Sequence, residues 1–536
     1  MNKRSNLLWS TLLLLILVVS CAKKGSITGG EKDETPPVFV KAFPPNFSTN
    51  FKANEIRIYF DEYIKLKEAQ KQIIVSPPMD PKPTITPLGG ASKFVKIKFL
   101  DTLLQNTTYS INFGESIEDN NEGNTQPFFR YVFSTGDFLD SLHIKGTITD
   151  AIKKEAEPNI TVALYEVDEN YSDSLIFNTV PRYITNTLDS TEFNFYNLKK
   201  GKFKLIALKD QAGNYKYEPK QDKIGFYEEI VSLPEDTAKI FNLNIFKETL
   251  AFKALLPKQI SKNEFVFPYE GEVDSMKIKL LSKAPDTLET LVIADKETDS
   301  LHYWFKPFFK ADSLIFEVSN SKKYRDTLVT RFKDQYKDSI QISSSGTTLA
   351  LNKNFVFSSI TPLDTIDEKR ITLTDKDTID VPFSIALDKT SNEAELIFEK
   401  SENNRYNMTI LPESILDFVG NTNDTIYFRF LTKKLADYGT IFFTLENVET
   451  YPVIVQVTNE KQDIITEKTV RNQETLTFDY LEPSKYYVRV IFDSNDNGKW
   501  DPGNFLKGIQ PEKVSYFPEI IDVRANWEIK QTFILE

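Results

Sequence analysis

Ile56-Arg57-Ile58-Tyr59-Phe60-Asp61-Glu62 is the stretch that decides the fold class. Ile56, Ile58 and Phe60 alternate with Arg57, Tyr59 and Asp61, and a period of two puts the first set on one face of an extended strand and the second on the other. Val95-Ile97-Phe99, Tyr109-Ile111-Phe113 and Phe129-Tyr131-Phe133 repeat the pattern. Short alternating runs punctuated by Pro, Gly, Asn and Asp predict an all-β chain of tandem antiparallel β-sandwiches. Glu62 to Gln72 is the exception, with the composition of one or two helical turns.

The 536 residues are enough for several domains. With 41 Phe and 23 Tyr the apolar material for their cores is ample, and one cysteine excludes an intrachain disulfide, so burial must hold the fold together.

Comparison of the chain with itself gives the organisation. A shift of 283 positions aligns, without a gap, Phe195 with Phe478, Leu198 with Leu481, Asp210 with Asp493, Asn214 with Asn497, Pro219 with Pro502 and Gly225 with Gly508. Residues 139–249 and 436–536 are therefore expected to be two copies of one module. A second likeness joins Glu115-Ser116-Ile117-Glu118-Asp119 and Gly123-Asn124 to Glu413-Ser414-Ile415-Leu416-Asp417 and Gly420-Asn421. That marks 36–138 and 346–435 as two Ig-like domains, and 250–345 as an intervening β-sandwich of another type. The expected picture is a string of modules.

Ahead of them, Lys3 and Arg4 precede an apolar run from Leu7 to Val19 and then Val18-Val19-Ser20-Cys21. The run is shorter than the roughly 20 residues of a membrane-spanning helix and has the anatomy of a signal peptide over 1–20. Aliphatic residues and a small residue before cysteine are what lipoprotein signal peptidases accept, and Cys21 is the one cysteine of the chain. Lipidation of Cys21 is the expectation. Since each buried methylene contributes about 0.8 kcal/mol, two or three acyl chains would hold the protein at a membrane without a spanning helix. Residues 21–35, rich in Gly, charge and Pro, read as a flexible tether.

These residues resemble known families over nearly the whole mature chain. Thr35-Pro36-Pro37, the strand from Ile56, Asn106-Thr107-Thr108-Tyr109 and Phe133-Ser134-Thr135 resemble the bacterial Ig-like domain of the S-layer protein type. Cys21-Ala22 with Thr28-Gly29-Gly30 and Pro36-Pro37 is similar to a family of Ig-domain surface lipoproteins of Gram-negative bacteria. Gly146-Thr147-Ile148 to Leu198-Lys199-Lys200-Gly201 resembles prealbumin-like or carboxypeptidase-regulatory-like β-sandwiches. The resemblance implies spacers and binding modules, not a reaction. Ala22 in place of Asp after the cysteine points to the outer membrane, with the chain on its periplasmic or cell-surface face.

Charge and histidine content narrow the function. The net charge is −12, and removal of Lys3 and Arg4 with the signal peptide makes it −12 − 2 = −14. Without a basic cluster, nucleic acid is an improbable partner. His143 and His302 are the only histidines and each stands alone in sequence, which leaves a Ser-His-Asp hydrolase or His-ligated zinc enzyme hard to build. No catalytic residue is expected and no cofactor is required. The expected partners are the membrane through the lipid anchor, and envelope proteins or glycans.

Three weaker signals each have two interpretations. Asp493-Ser494-Asn495-Asp496-Asn497-Gly498-Lys499-Trp500-Asp501 places oxygen ligands Asp493, Asn495, Asn497 and Asp501 at the first, third, fifth and ninth positions with Gly at the sixth, a calcium-loop pattern. Asn504 stands where a bidentate Glu would complete the site, so such a site would be weak; a tight Asn-Gly turn accounts for the same residues. Of fifteen Asp-Ser or Asp-Thr pairs, fourteen are followed by Ala, Ile, Leu, Met, Thr or Val. This resembles the acceptor motif of an O-glycosylation system of some Gram-negative bacteria, and turn-to-strand junctions generate it equally well. Trp304, Trp500 and Trp527 suit stacking on sugar rings or burial in a core.

Overall fold

The structure is a computed structural model and describes residues 33–535, except Ala156, Lys322, Lys337, Asp338, Gln473 and Glu474. It is all-β, built from antiparallel sheets with a few parallel pairs. The chain divides into two compact units. One runs to Ser141 and takes in Tyr196–Lys199; the other holds Leu142–Phe195 and Lys200 onward.

In the first unit, the strand Glu55–Leu66 turns Ile56, Ile58, Phe60 and Ile64 inward and leaves Arg57 and Asp61 exposed. It lies between Phe39–Phe43 and Ser92–Lys98, with Thr84–Thr86 at the far edge. The facing sheet is Ile74–Ser76, Thr108–Asn112 and Arg130–Ser134. Glu62–Leu66 continues the strand past a bulge, to pair with Ile117–Asp119, where helical turns were expected; the helix is confined to Ala69–Gln72. Ile64 explains the difference, because a fully buried aliphatic at the end of an alternating run gains more from the sheet than a short isolated helix could supply.

The two copies found by the 283-residue shift have the same strand order. Glu192–Leu198, Leu142–Asp150 and Ile240–Ile245 form one sheet of the first copy, and Thr475–Leu481, Gly439–Glu446 and Glu528–Ile534 its counterpart in the second. In each, the last strand runs parallel to the first strand of the copy. The opposing sheets correspond likewise: Tyr183–Asn186, Thr161–Glu166, Gly201–Lys209, Lys223–Phe226 against Ile464–Val470, Val453–Thr458, Ser484–Phe492, Val514–Tyr516. The aligned Phe195 and Phe478 are both buried, as are Leu198 and Leu481.

The likeness between the regions around Asp119 and Asp417 extends to one corner motif. The Tyr109 hydroxyl accepts the N–H of Leu104 (2.9 Å) and the Tyr406 hydroxyl that of Ser401 (2.8 Å), five residues upstream in each case. Each ring stacks on the phenylalanine of the closing strand, Phe133 or Phe430. Two residues beyond, the hydroxyl of Thr135 donates to Leu104 O and that of Thr432 to Ser401 O. Between the copies in sequence, Phe265, Phe267, Phe305, Phe316 and Phe332 centre a further core made by two sheets. Among the described residues no helix is long and apolar enough to cross a membrane.

Candidate functional site

The loop Asp493–Asp501 follows the strand Ser484–Phe492 and brings all four expected ligand residues into one hydrogen-bonded knot. Asp493 is buried, and its two carboxylate oxygens accept the N–H groups of Asn497 (3.0 Å) and Gly498 (2.8 Å). The side-chain amides of Asn495 and Asn497 both donate to Asp501 Oδ2, at 2.5 and 2.6 Å. Nitrogens, rather than oxygens, thus face Asp501. Glu512 closes the loop: Oε1 accepts the N–H and hydroxyl of Ser494 (2.7 Å each) and Oε2 the N–H of Asp501 (3.0 Å). Eleven residues beyond the motif, Glu512 gives no local signal in sequence. Among the described residues, no group of three or more His, Cys, Asp or Glu is placed to hold a metal.

An aspartate that gathers backbone N–H groups is the common device of the repeated loops. In the first copy, Asp210 accepts from Gly213, Asn214 and Tyr215. Asp417 accepts both the backbone and side-chain N–H of Asn421, at 2.7 Å each. Asp119 accepts from Asn121, Glu122, Gly123 and Asn124. Burial opposes ionisation of Asp119, but these four donors outweigh it and hold its carboxyl at about 2.

The stretch after Asp501 does something that its sequence does not announce. Phe505, in the second copy, is 2% exposed, and its ring meets Phe226 of the first copy edge-on at 5.3 Å. Tyr217, Ile224 and Phe246 belong to the same cluster, with half-buried Trp500 at its margin. Polar contacts frame the seam: Phe505 N–H to Glu248 Oε1 (2.6 Å), Gln510 Nε2 to Phe226 O (2.9 Å) and Arg489 Nη1 to Ile152 O (3.0 Å). Glu248 in turn accepts the Tyr217 hydroxyl at 2.7 Å. Two copies far apart in the sequence are therefore packed together.

His302 is not alone. On the strand Ser300–Lys306, its Nδ1 meets Glu264 Oε1 at 2.5 Å and its Nε2 meets Asp295 Oδ2 at 2.9 Å. The bond to Glu264 raises its pKa, burial opposes this, and Asp295 adds to the rise. The bond between His302 Nε2 and Asp295 is the largest cause of a strong downward shift at Asp295. With both ring nitrogens engaged by carboxylates, neither is left to activate a hydroxyl. His143, on the strand Leu142–Asp150, is exposed.

Of the tryptophans, Trp304 is 2% exposed, Trp500 lies in the seam, and Trp527 is exposed with Arg524 over its ring at 5.0 Å. Among the fourteen Asp-Ser/Thr triplets, the hydroxyl residue is buried at Ser300, half-buried at Thr237 and exposed at the other positions. Cys21, the apolar run before it and the tether up to Lys32 lie outside the described residues.

No curated protein sequence matches the chain. Several solved structures are similar to the chain at low identity. The mixed-linkage glucan utilization locus SGBP-B of Bacteroides ovatus, in complex with a mixed-linkage heptasaccharide, is 11% identical over 72% of this chain and 91% of that one, at a TM-score of 0.19. The S-layer protein rSbsC(31–844) is 11% identical over 91% of this chain and 67% of that one, at 0.16. The Bacillus anthracis TIE protein is 11% identical over 98% and 78%, at 0.13. The family likeness rests on sequence: residues 33–135, the chain's first sandwich, match the bacterial Ig-like domain.

Proposed function

We propose that this chain is a lipid-anchored protein of the bacterial cell envelope, held at the outer membrane through Cys21, that works as a non-catalytic structural or protein-interaction module. The observation that carries the reading is the single cysteine of 536 residues, standing directly after a basic, apolar and small-residue leader. The bacterial Ig-like domain at 33–135 and the all-β build support a scaffold role. So does the engagement of both ring nitrogens of His302 by carboxylates. The reading divides the mature chain into a tether over 21–35 and modules at 36–138, 139–249, 250–345, 346–435 and 436–536.

Weak calcium binding at Asp493, Asn495, Asn497 and Asp501 belongs to the proposal. It requires both amides to turn over and present oxygen to the ion, displacing their bonds to Asp501. Glycosylation at exposed Asp-Ser/Thr triplets is likewise a proposal, read out by the intact mass of the native protein.

The test is metabolic labelling with palmitate and membrane fractionation. The wild type is expected to incorporate label and sediment with the outer membrane, and Cys21→Ser to lose both. A Cys21→Ser protein that fractionates with membranes as the wild type does would sink the anchoring claim.

A further inference from the structure

We propose that a cleft lined by half-buried Tyr480 and its neighbours in the second copy, and by Thr348, Ala350, Asn352 and Lys353 of the preceding module, binds a neutral carbohydrate, with buried Tyr438 backing the Tyr480 ring. The cleft has a volume of about 640 Å³, within the range of roughly 300–1,000 Å³ typical of small-ligand sites.

Comparison of the two copies singles out Tyr480. Asn197 of the first copy and Tyr480 of the second align in the 283-residue shift, and both hold the left-handed conformation, at φ 60° and 56°. Asparagine tolerates that region, whereas a bulky aromatic residue there is strained. Each copy uses the position differently. Asn197 donates its side-chain N–H to Asp140 O at 2.9 Å, just ahead of the strand Leu142–Asp150. Tyr480 instead meets Tyr438, the residue just ahead of Gly439–Glu446, with ring centroids 5.8 Å apart and planes at 70°. Where the first copy ties its corner with a hydrogen bond, the second accepts strain and presents a ring to a cleft.

The rest of the lining fixes the ligand class. Lys353 and Lys468 are matched by Asp479 and Glu482, so the cleft carries no net charge to attract a phosphate or a polyanion. Asn352 adds an amide that both donates and accepts, while the Asn459 amide, also in the lining, is bonded to Asp463 and Lys461 in its own turn. Polar groups of both kinds beside aromatic surface suit a ligand that has hydroxyls at its edge and an apolar face, as a sugar ring does. The proposal goes beyond envelope anchoring and is independent of it.

Binding of the solubilised full-length protein to arrayed neutral glucan, mannan and xylan oligosaccharides tests it, with uronate-containing oligosaccharides and a random peptide library alongside. Wild type is expected to bind a neutral sugar. Tyr480→Asn, which restores the residue of the first copy, is expected to weaken binding by about tenfold or more. Its thermal midpoint should equal or exceed that of wild type, because the strain is relieved. Asp479→Ala should also weaken binding without a change in midpoint. Failure of wild type to bind neutral sugars, a preference for uronates or peptides, undiminished binding by Tyr480→Asn, or a lower midpoint for it would each overturn the proposal. Cys21→Ser protein should bind the same sugars as wild type, so loss of anchoring and loss of the sugar site are separate results.

Discussion

His302 shows how little a residue's sequence neighbours say about its chemistry. Its partners Glu264 and Asp295 lie 38 and 7 positions away and reach it only because the strands Glu264–Glu270 and Ser300–Lys306 pair and Asp295 follows the adjacent strand Glu289–Ala294. The pKa of His302 is raised above its ordinary 6.5, first by Glu264 and against burial. The linked stability is therefore fully present below pH 6.5 and is lost as pH rises through the folded-state pKa. Titration of the imidazole by NMR should place its midpoint above 6.5, and Glu264→Gln should bring it down; a midpoint at or below 6.5 in the wild type would contradict the geometry. Asp119 lies at the opposite extreme of legibility. Its place before Gly123 and Asn124 marks a turn in the sequence, and the structure adds the four N–H groups that hold it ionised.

Strands were the most legible elements, because one face of each is buried and a one-residue slip would expose the whole apolar set. That is why Ile56, Ile58 and Phe60 could be assigned a side before any contact was known. The close approach of strands was less legible. Gly146 sits in Leu142–Asp150 opposite Phe241 of the parallel strand Ile240–Ile245, and a Cβ there would lie 1.8 Å from Phe241 O. Gly146→Ala is expected to force the two strands apart and cost about 3 kcal/mol or more, in the class of overpacked interiors. Urea unfolding followed by far-UV circular dichroism checks it, and a midpoint equal to wild type would show that the strands can part at little cost. Alternation alone gave no warning here, since a glycine in a strand also marks a bulge or an ordinary weak point.

At the scale of the molecule, the contact between the two copies places a side chain from more than 250 positions downstream in the core of residues 142–249. Phe505→Ala removes a fully buried ring from the cluster of Phe226, Phe246 and Tyr217 and should cost about 3–5 kcal/mol. Hydrogen exchange is the discriminating measurement. Faster exchange in Lys223–Phe226 and Ile240–Ile245 is expected, although the substitution lies in the other copy; an effect confined to 436–536 would mean that the copies are energetically independent. By itself the sequence determined the all-β class, the bacterial Ig-like domain and the internal likenesses, because alternation and turn chemistry are local properties repeated along the chain. Only the tertiary structure decided that the loop after Asp501 would fill a distant module's core, that Glu512 would close the Asp493 loop and that His302 would sit between two carboxylates. Those outcomes depend on which surfaces meet once strands have paired, and residues far apart in a chain leave no periodic trace of their meeting.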